Sequence, residues 1–319
     1  MTEPRRIVPG EFYMVTRRTL LRTFLLRPNE AINRMFEYCL AESAARFGID
    51  LIAWCAMSNH YHAIIYDPDG RVPAFIERLH MMMAKALNRI HRRSESVWSR
   101  EQTCLTRLVT LDDVFDKVVY VLTNPAAADL VDDIVHWPGA SSWTRMGADP
   151  KVVERPQGGY FCAEGLMPEQ VELRAVAPRG LLGESYIEWI ERVRTAVKLR
   201  QGALTKKRSE ERRHVLGRKG VLATDPFSAP TTKAPRSRLR PHLACKDKTR
   251  MKQERALLNG FRTQYRSTRK RLRGEGEDEG TIEFPVGTYR LRLLGLPCEG
   301  CNDAPHVVIA KKTKPVAAA

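Results

Sequence analysis

Two histidines one residue apart, His60 and His62, sit inside an apolar run from Leu51 to Tyr66 that reads as a buried strand. Successive strand side chains alternate between faces, so both imidazoles point one way and Tyr61 points the other. An imidazole pair on one face is half a metal site. The same pattern also suits two hydrogen-bonded histidines at a strand end, because short motifs recur by chance. About sixty residues on, the stretch Asp116 to Pro125 places Tyr120 and Asn124 four apart. If that stretch is helical, phenol and amide share a face one turn apart and can meet one cation. Each has a structural alternative. Asn before Pro is a common helix start, with the amide as N-cap and the proline at the first position, and Pro125 disfavours helical geometry at Asn124. Tyr120, beside Val118, Val119 and Val121, also reads as a core aromatic.

Taken together these residues resemble a known family. Met57-Ser-Asn-His-Tyr-His62 resembles the histidine-hydrophobic-histidine motif of the single-tyrosine HUH nucleases, and Tyr120-Val-Leu-Thr-Asn-Pro125 resembles the tyrosine helix of the REP-associated tyrosine transposases. Leu87 to Ser94, Trp98-Ser-Arg100 and Ser141-Ser-Trp143 fall in the order and spacing of that family. The resemblance covers about the first 145 residues. The chain departs from the pattern at Ser58, where relatives carry proline, and at Ala126 to Asp129, where they carry valine, arginine, alanine and glycine. The arginine missing at Ala127 is the larger change.

The resemblance implies a metal-dependent single-stranded DNA endonuclease and strand transferase, acting at hairpin-bearing repeats. Tyr120 is then the nucleophile, and His60, His62 and Asn124 hold a divalent cation. Cleavage by tyrosine needs a hard cation on the phosphate oxygens; two imidazoles and an amide oxygen suit magnesium or manganese, with imidazole favouring manganese. Attack gives a 5′-phosphotyrosine and a free 3′-hydroxyl, so strands can be rejoined without a small-molecule cofactor. The alternative is a DNA-binding protein on the same scaffold that no longer cuts. An RNA hydrolase has little use for a tyrosine nucleophile, because RNA carries its own 2′-hydroxyl.

Charge points to the same partner. The chain of 319 residues has a net charge of +16, and residues 192–273 hold 26 Lys and Arg against 5 Asp and Glu, leaving the rest negative. Such a block suggests a polyanion, although Thr205 to Arg213 and Thr231 to Arg240 also read as solvated, disorder-prone segments. Few aromatics interleave the charges, so backbone contact fits better than base stacking. Candidate DNA contacts are Arg17, Arg18, Arg89, Arg92, Arg93, Arg100, Lys206, Lys207 and Arg208. No apolar run is long enough to span a bilayer, and the opening Met-Thr-Glu-Pro-Arg-Arg has no signal core, so a cytoplasmic, nucleoid-associated location is expected. Seven scattered cysteines argue against a disulfide framework. Cys298-Glu-Gly-Cys301 reads as a turn with two thiols, or as half of a metal clip.

The periodicity predicts strands over 12–16, 51–66, 105–109 and 171–177. It predicts helices over 29–47, 72–91, 112–122, 184–199 and 252–272, and a closing hairpin over 280–294. That order suits an α+β sandwich, an antiparallel sheet covered by helices. The resemblance implies its ferredoxin-like form, the HUH nuclease core. The expected domains are residues 1–146, a linker at 147–160 rich in Gly and Pro, and a basic C-terminal region at 161–319 as an accessory DNA-binding domain. Oligomeric state, monomer or homodimer, is left open.

Overall fold

The computed structural model describes residues 4–157, 160–161, 167–232, 241–274 and 282–289. Strands and helices alternate as β1 (Glu11–Arg18), α1 (Glu30–Phe47), β2 (Asp50–Ala56), β3 (His60–Asp67), α2 (Val72–Ile90) and β4 (Cys104–Leu108). The strands pair antiparallel in the order β2-β3-β1-β4, which is the ferredoxin-like split βαβ arrangement expected above. A two-residue strand, β7 (Leu243–Ala244), adds to β4 in parallel at the far edge.

Alternation along β3 sorts the layers. Tyr61 touches Phe36 of α1 and His80 of α2, whereas His62 touches Tyr120 of α3 (Leu111–Ala127). Helices α1 and α2 therefore cover one face of the sheet, and α3 crosses the other.

The run Leu51 to Tyr66 is not one strand. It folds as the hairpin β2-β3, closed at Met57–Asn59 by a hydrogen bond from Met57 N–H to the His60 carbonyl at 2.8 Å. Sixteen residues exceed the usual strand length, and polar Ser58-Asn59 supply the turn. Pro125 does not start a helix either. It lies inside α3, whose N-terminus carries a reciprocal capping box between Thr110 and Asp113. The proline costs one intrahelical bond, tolerable in the last turn of a helix.

Asn29 caps α1 as expected, its side chain accepting from Ile32 N–H, and Gly48 ends the helix with φ +65°. The helix buries more than one stripe. Tyr38, Ala41 and Glu42 are buried beside the expected Ile32, Met35, Phe36, Cys39 and Leu40. The second covering layer is a small sheet of β5 (Lys151–Glu154) and β6 (Gln170–Leu173), with Tyr38 donating to the Pro168 carbonyl at 2.6 Å. The expected linker at 147–160 is thus partly strand, too short for its periodicity to show among prolines and glycines. Segment 140–142 lines the β2 edge: Ala140 accepts from Ala56 N–H, and Ser142 Oγ hydrogen-bonds both backbone groups of Trp54.

Helix α4 (Tyr186–Glu210), eleven residues longer at its end than predicted, packs along α3, and α5 (Gly217–Ala223) follows it. The described chain divides into two compact units, Pro9–Lys246 and Met1–Val8 with Asp247–Ala319. The division comes after α4 and β7, a hundred residues beyond the boundary expected at 146, because β5, β6 and α4 pack on the core. The second unit is built on α6 (Lys248–Leu272), where Phe261 and Tyr265 stack towards Phe284. Residues 280, 281 and 290–294 of the expected hairpin, and Cys298 and Cys301, lie outside the described residues.

Asp67, fully buried at the end of β3, accepts from the backbone N–H of Arg71 at 2.8 Å and of Val72 at 2.7 Å. It caps α2, whose own N-cap residue makes no side-chain bond. Asp67→Ala is expected to lower stability by about 1–3 kcal/mol in urea unfolding; an unchanged midpoint would show that the cap is dispensable.

Candidate active site

His60 and His62 project from β3 onto the face covered by α3, with ring centroids 4.8 Å apart. Their register is held from behind. Tyr61, fully buried, donates or accepts a 2.7 Å hydrogen bond with His80 Nε2 and packs against Phe36 and Trp98. A slip by one residue would drive both imidazoles into that apolar layer.

From α3, Tyr120 brings its ring centroid to 5.5 Å from that of His62, and Asn124, one turn on, places its amide nitrogen 3.3 Å from His62 Nε2. The four residues read from the sequence therefore cluster around His62. Thr16 of β1, directly opposite His62, joins them at 2.7 Å from His62 Nδ1. His60 Nδ1 lies 2.7 Å from the Asn59 side-chain oxygen, which can only accept, so this nitrogen carries the proton. The Asn124 amide donates to His62 Nε2, so His62 also has its lone pair on Nε2, and its Nδ1–H points to Thr16. Each imidazole thus keeps its lone pair on Nε2, away from its Nδ1 partner. Two imidazole lone pairs and a carboxamide able to turn its oxygen inward fit a divalent cation. No cluster of three or more His, Cys, Asp or Glu adds to this set among the described residues.

Burial pushes His60 down to about 4, with the Arg18 and Arg22 guanidiniums adding to the shift and the Asn124 hydrogen bond opposing it. Burial also holds His62, 5 % exposed, well below the usual histidine range, and His60 and Lys117 reinforce this. Both imidazoles are neutral at physiological pH.

The expected DNA contacts separate into groups. Arg18 and Arg100 line a cleft with Leu20 to Arg22 beside His60, and Arg17 bonds the Glu101 carbonyl and lies 6.0 Å over Trp98. Arg89, Arg92 and Arg93 line a separate cleft on the α1–α2 side, with Arg34, Lys85 and Tyr160. Lys206 and Lys207 are exposed on α4. Arg208 is a correction: it is 5 % exposed and bound to Asp129 at 2.9 Å, because the helix period turns it inward while its two neighbours face out. Two cations escaped the sequence reading. Lys117 Nζ lies 5.6 Å and the Arg200 guanidinium 5.7 Å from the Tyr120 ring centroid. Lys117 was findable, three residues before the tyrosine on one helix face. Arg200 arrives only through packing of α4.

The neutral histidines predict an acid-sensitive fold. The unfolded chain takes up protons near pH 6.5, whereas folded His60 does so only near 4. The contribution of neutral His60 to stability is therefore expected to be lost as pH drops from about 6.5 to 4. A pH series of urea midpoints checks this, and His60→Gln should shallow the slope.

Residues 15–107 match the family model of IS200-like transposases. That segment runs from within β1 to within β4, includes both histidines, and ends before α3. No curated protein matches. Among solved structures, a REP-associated tyrosine transposase bound to a REP hairpin aligns at 18 % identity and a TM-score of 0.40, covering 56 % of this chain and all of its own. A candidate transposase from Deinococcus radiodurans R1 aligns at 18 % identity and a TM-score of 0.28, covering 39 % of this chain and 97 % of its own. Over residues 15–107, the chain is similar to the IS200-like transposases.

Proposed function

We propose that the protein nicks and rejoins single-stranded DNA through Tyr120. The observation that carries this reading is the convergence of Tyr120 and Asn124 from α3 on His60 and His62 from β3. The phenol oxygen attacks phosphorus in line and loses its proton to solvent. The 3′-oxygen leaves, takes up a proton, and a 5′-phosphotyrosine remains. Attack by a 3′-hydroxyl on that ester reverses the step and joins strands. His60 Nε2, His62 Nε2 and the Asn124 amide oxygen would hold Mg²⁺ or Mn²⁺. Such an ion, when bound, polarises the phosphate and offsets the charge that builds on it.

Asn59 and Thr16 keep the proton off the ligating nitrogens, and the β2-β3 hairpin keeps both imidazoles on one side. The basic clefts and the exposed lysines of α4 supply phosphate contacts. A hairpin-bearing repeat as substrate follows from the motif resemblance, as does a location on the nucleoid; no helix among the described residues is long and apolar enough to cross a membrane.

A labelled single-stranded oligonucleotide with Mn²⁺ should give a covalent protein–DNA adduct. Tyr120→Phe is expected to abolish it while leaving DNA retention unchanged. Retention without adduct in the unaltered protein would leave only the binding role. His60→Ala should cut adduct formation by ~100-fold or more, as expected when a group that sets up charge stabilisation is removed. Removal of the metal with a chelator should match it.

A further inference from the structure

Tyr120 stands beside two cations that no carboxylate neutralises. Lys117 and Arg200 each lie within 6 Å of its ring, and among the described residues neither has an ion-pair partner. Four other cations of α4 are paired, Arg192 with Glu184, Arg194 with Glu191, Lys207 with Glu211 and Arg208 with Asp129, whereas the exposed Lys198 and Lys206 have neither an ion-pair partner among the described residues nor a contact with Tyr120. A pair of unspent positive charges at a nucleophile is a receiver for an anion.

The position of Arg200 is built. Three contacts run in the same order along both helices: Arg192 on the Phe115 ring at 4.3 Å, Arg200 on Tyr120, and Arg208 on the end of α3. Arg208 Nε donates to Asp129 Oδ1 at 2.9 Å, and its Nη2 donates to the Ala126 carbonyl at 2.8 Å. Asp129 holds φ at +54°, a left-handed backbone that side chains seldom adopt, and Arg213 bonds its other oxygen. Gln201, 6 % exposed, donates to the Asp132 carbonyl, and the backbone N–H groups of Leu216 and Gly217 donate to the carbonyls of Asp129 and Leu130. Eight residues, a little over two helical turns, separate Arg200 from Arg208, so the latch sets where Arg200 falls along α3.

We propose that Arg200, with Lys117, takes the non-bridging oxygens of the phosphate attacked by Tyr120, and that Arg208 and Asp129 act as the positioning latch. The proposal rests on the tyrosine nuclease reading above. It assigns part of the active site to α4, beyond the segment that matches the transposase family. Arg200 and Lys117 meet more negative charge in the transition state than in the bound substrate, so their effect falls on the chemical step more than on binding.

Single-turnover adduct formation over a range of oligonucleotide concentrations with Mn²⁺ tests this. Arg200→Ala is expected to lower the saturating rate by ~100-fold, the low end of the range for loss of one charge-stabilising donor. The half-saturating DNA concentration should change by less than about threefold, and Arg200→Lys should recover most of the rate. Thermal unfolding of Arg200→Ala should match the unaltered protein, because the side chain is exposed. Arg208→Ala should reproduce the rate loss. Adduct at equal rates from the unaltered protein and Arg200→Ala overturns the proposal alone, as does a loss that lysine fails to restore. No adduct from the unaltered protein overturns the nuclease reading and the proposal together.

Discussion

The hydrogen-bonded line from Thr16 through His62 to Asn124 ties three elements of this fold to one point. It joins β1, β3 and α3 across the sheet face opposite α1 and α2. A neutral imidazole is the only histidine form that can close it, with one nitrogen donating to the threonine side and the other accepting from the amide. Burial supplies that neutrality, so the same desolvation that packs α3 onto the sheet also keeps the imidazole in the uncharged form that the proposed cation site requires. Structure and chemistry draw on one term.

The other face of β3 serves as its anchor. Tyr61, Phe36, His80 and Trp98 form an aromatic layer without which the histidine pair has no fixed register. Period-two alternation makes this an all-or-none arrangement. One strand thereby carries a rigid apolar side and a chemically equipped side.

Helix α4 changes how the basic C-terminal region is understood. Its positive charge is not a uniform coat: Lys206 and Lys207 face out, Arg208 is bound beneath the end of α3, and Arg200 reaches the tyrosine. Residue 127 is alanine where the resembling family carries arginine, yet a guanidinium still meets the end of α3, delivered from α4. Asp129, in the left-handed conformation, is the residue that receives it.

The sequence by itself determined the reactive groups and much of the frame. His60 and His62 share a face by strand alternation, Tyr120 and Asn124 share one by helical spacing, and Asn29 and the periodic apolar residues of α1 mark that helix. These signals are local, and local geometry follows from spacing. The break of the 51–66 run into a hairpin, the passage of α3 through Pro125, and the strand inside the 147–160 segment were decided by tertiary contacts, which override weak turn and proline signals. So were the burial of Arg208 and the arrival of Arg200 at Tyr120. A helix stripe tells which residues turn inward together, but only the partner helix decides what they touch; α3 and α4 meet there through packing between segments eighty residues apart.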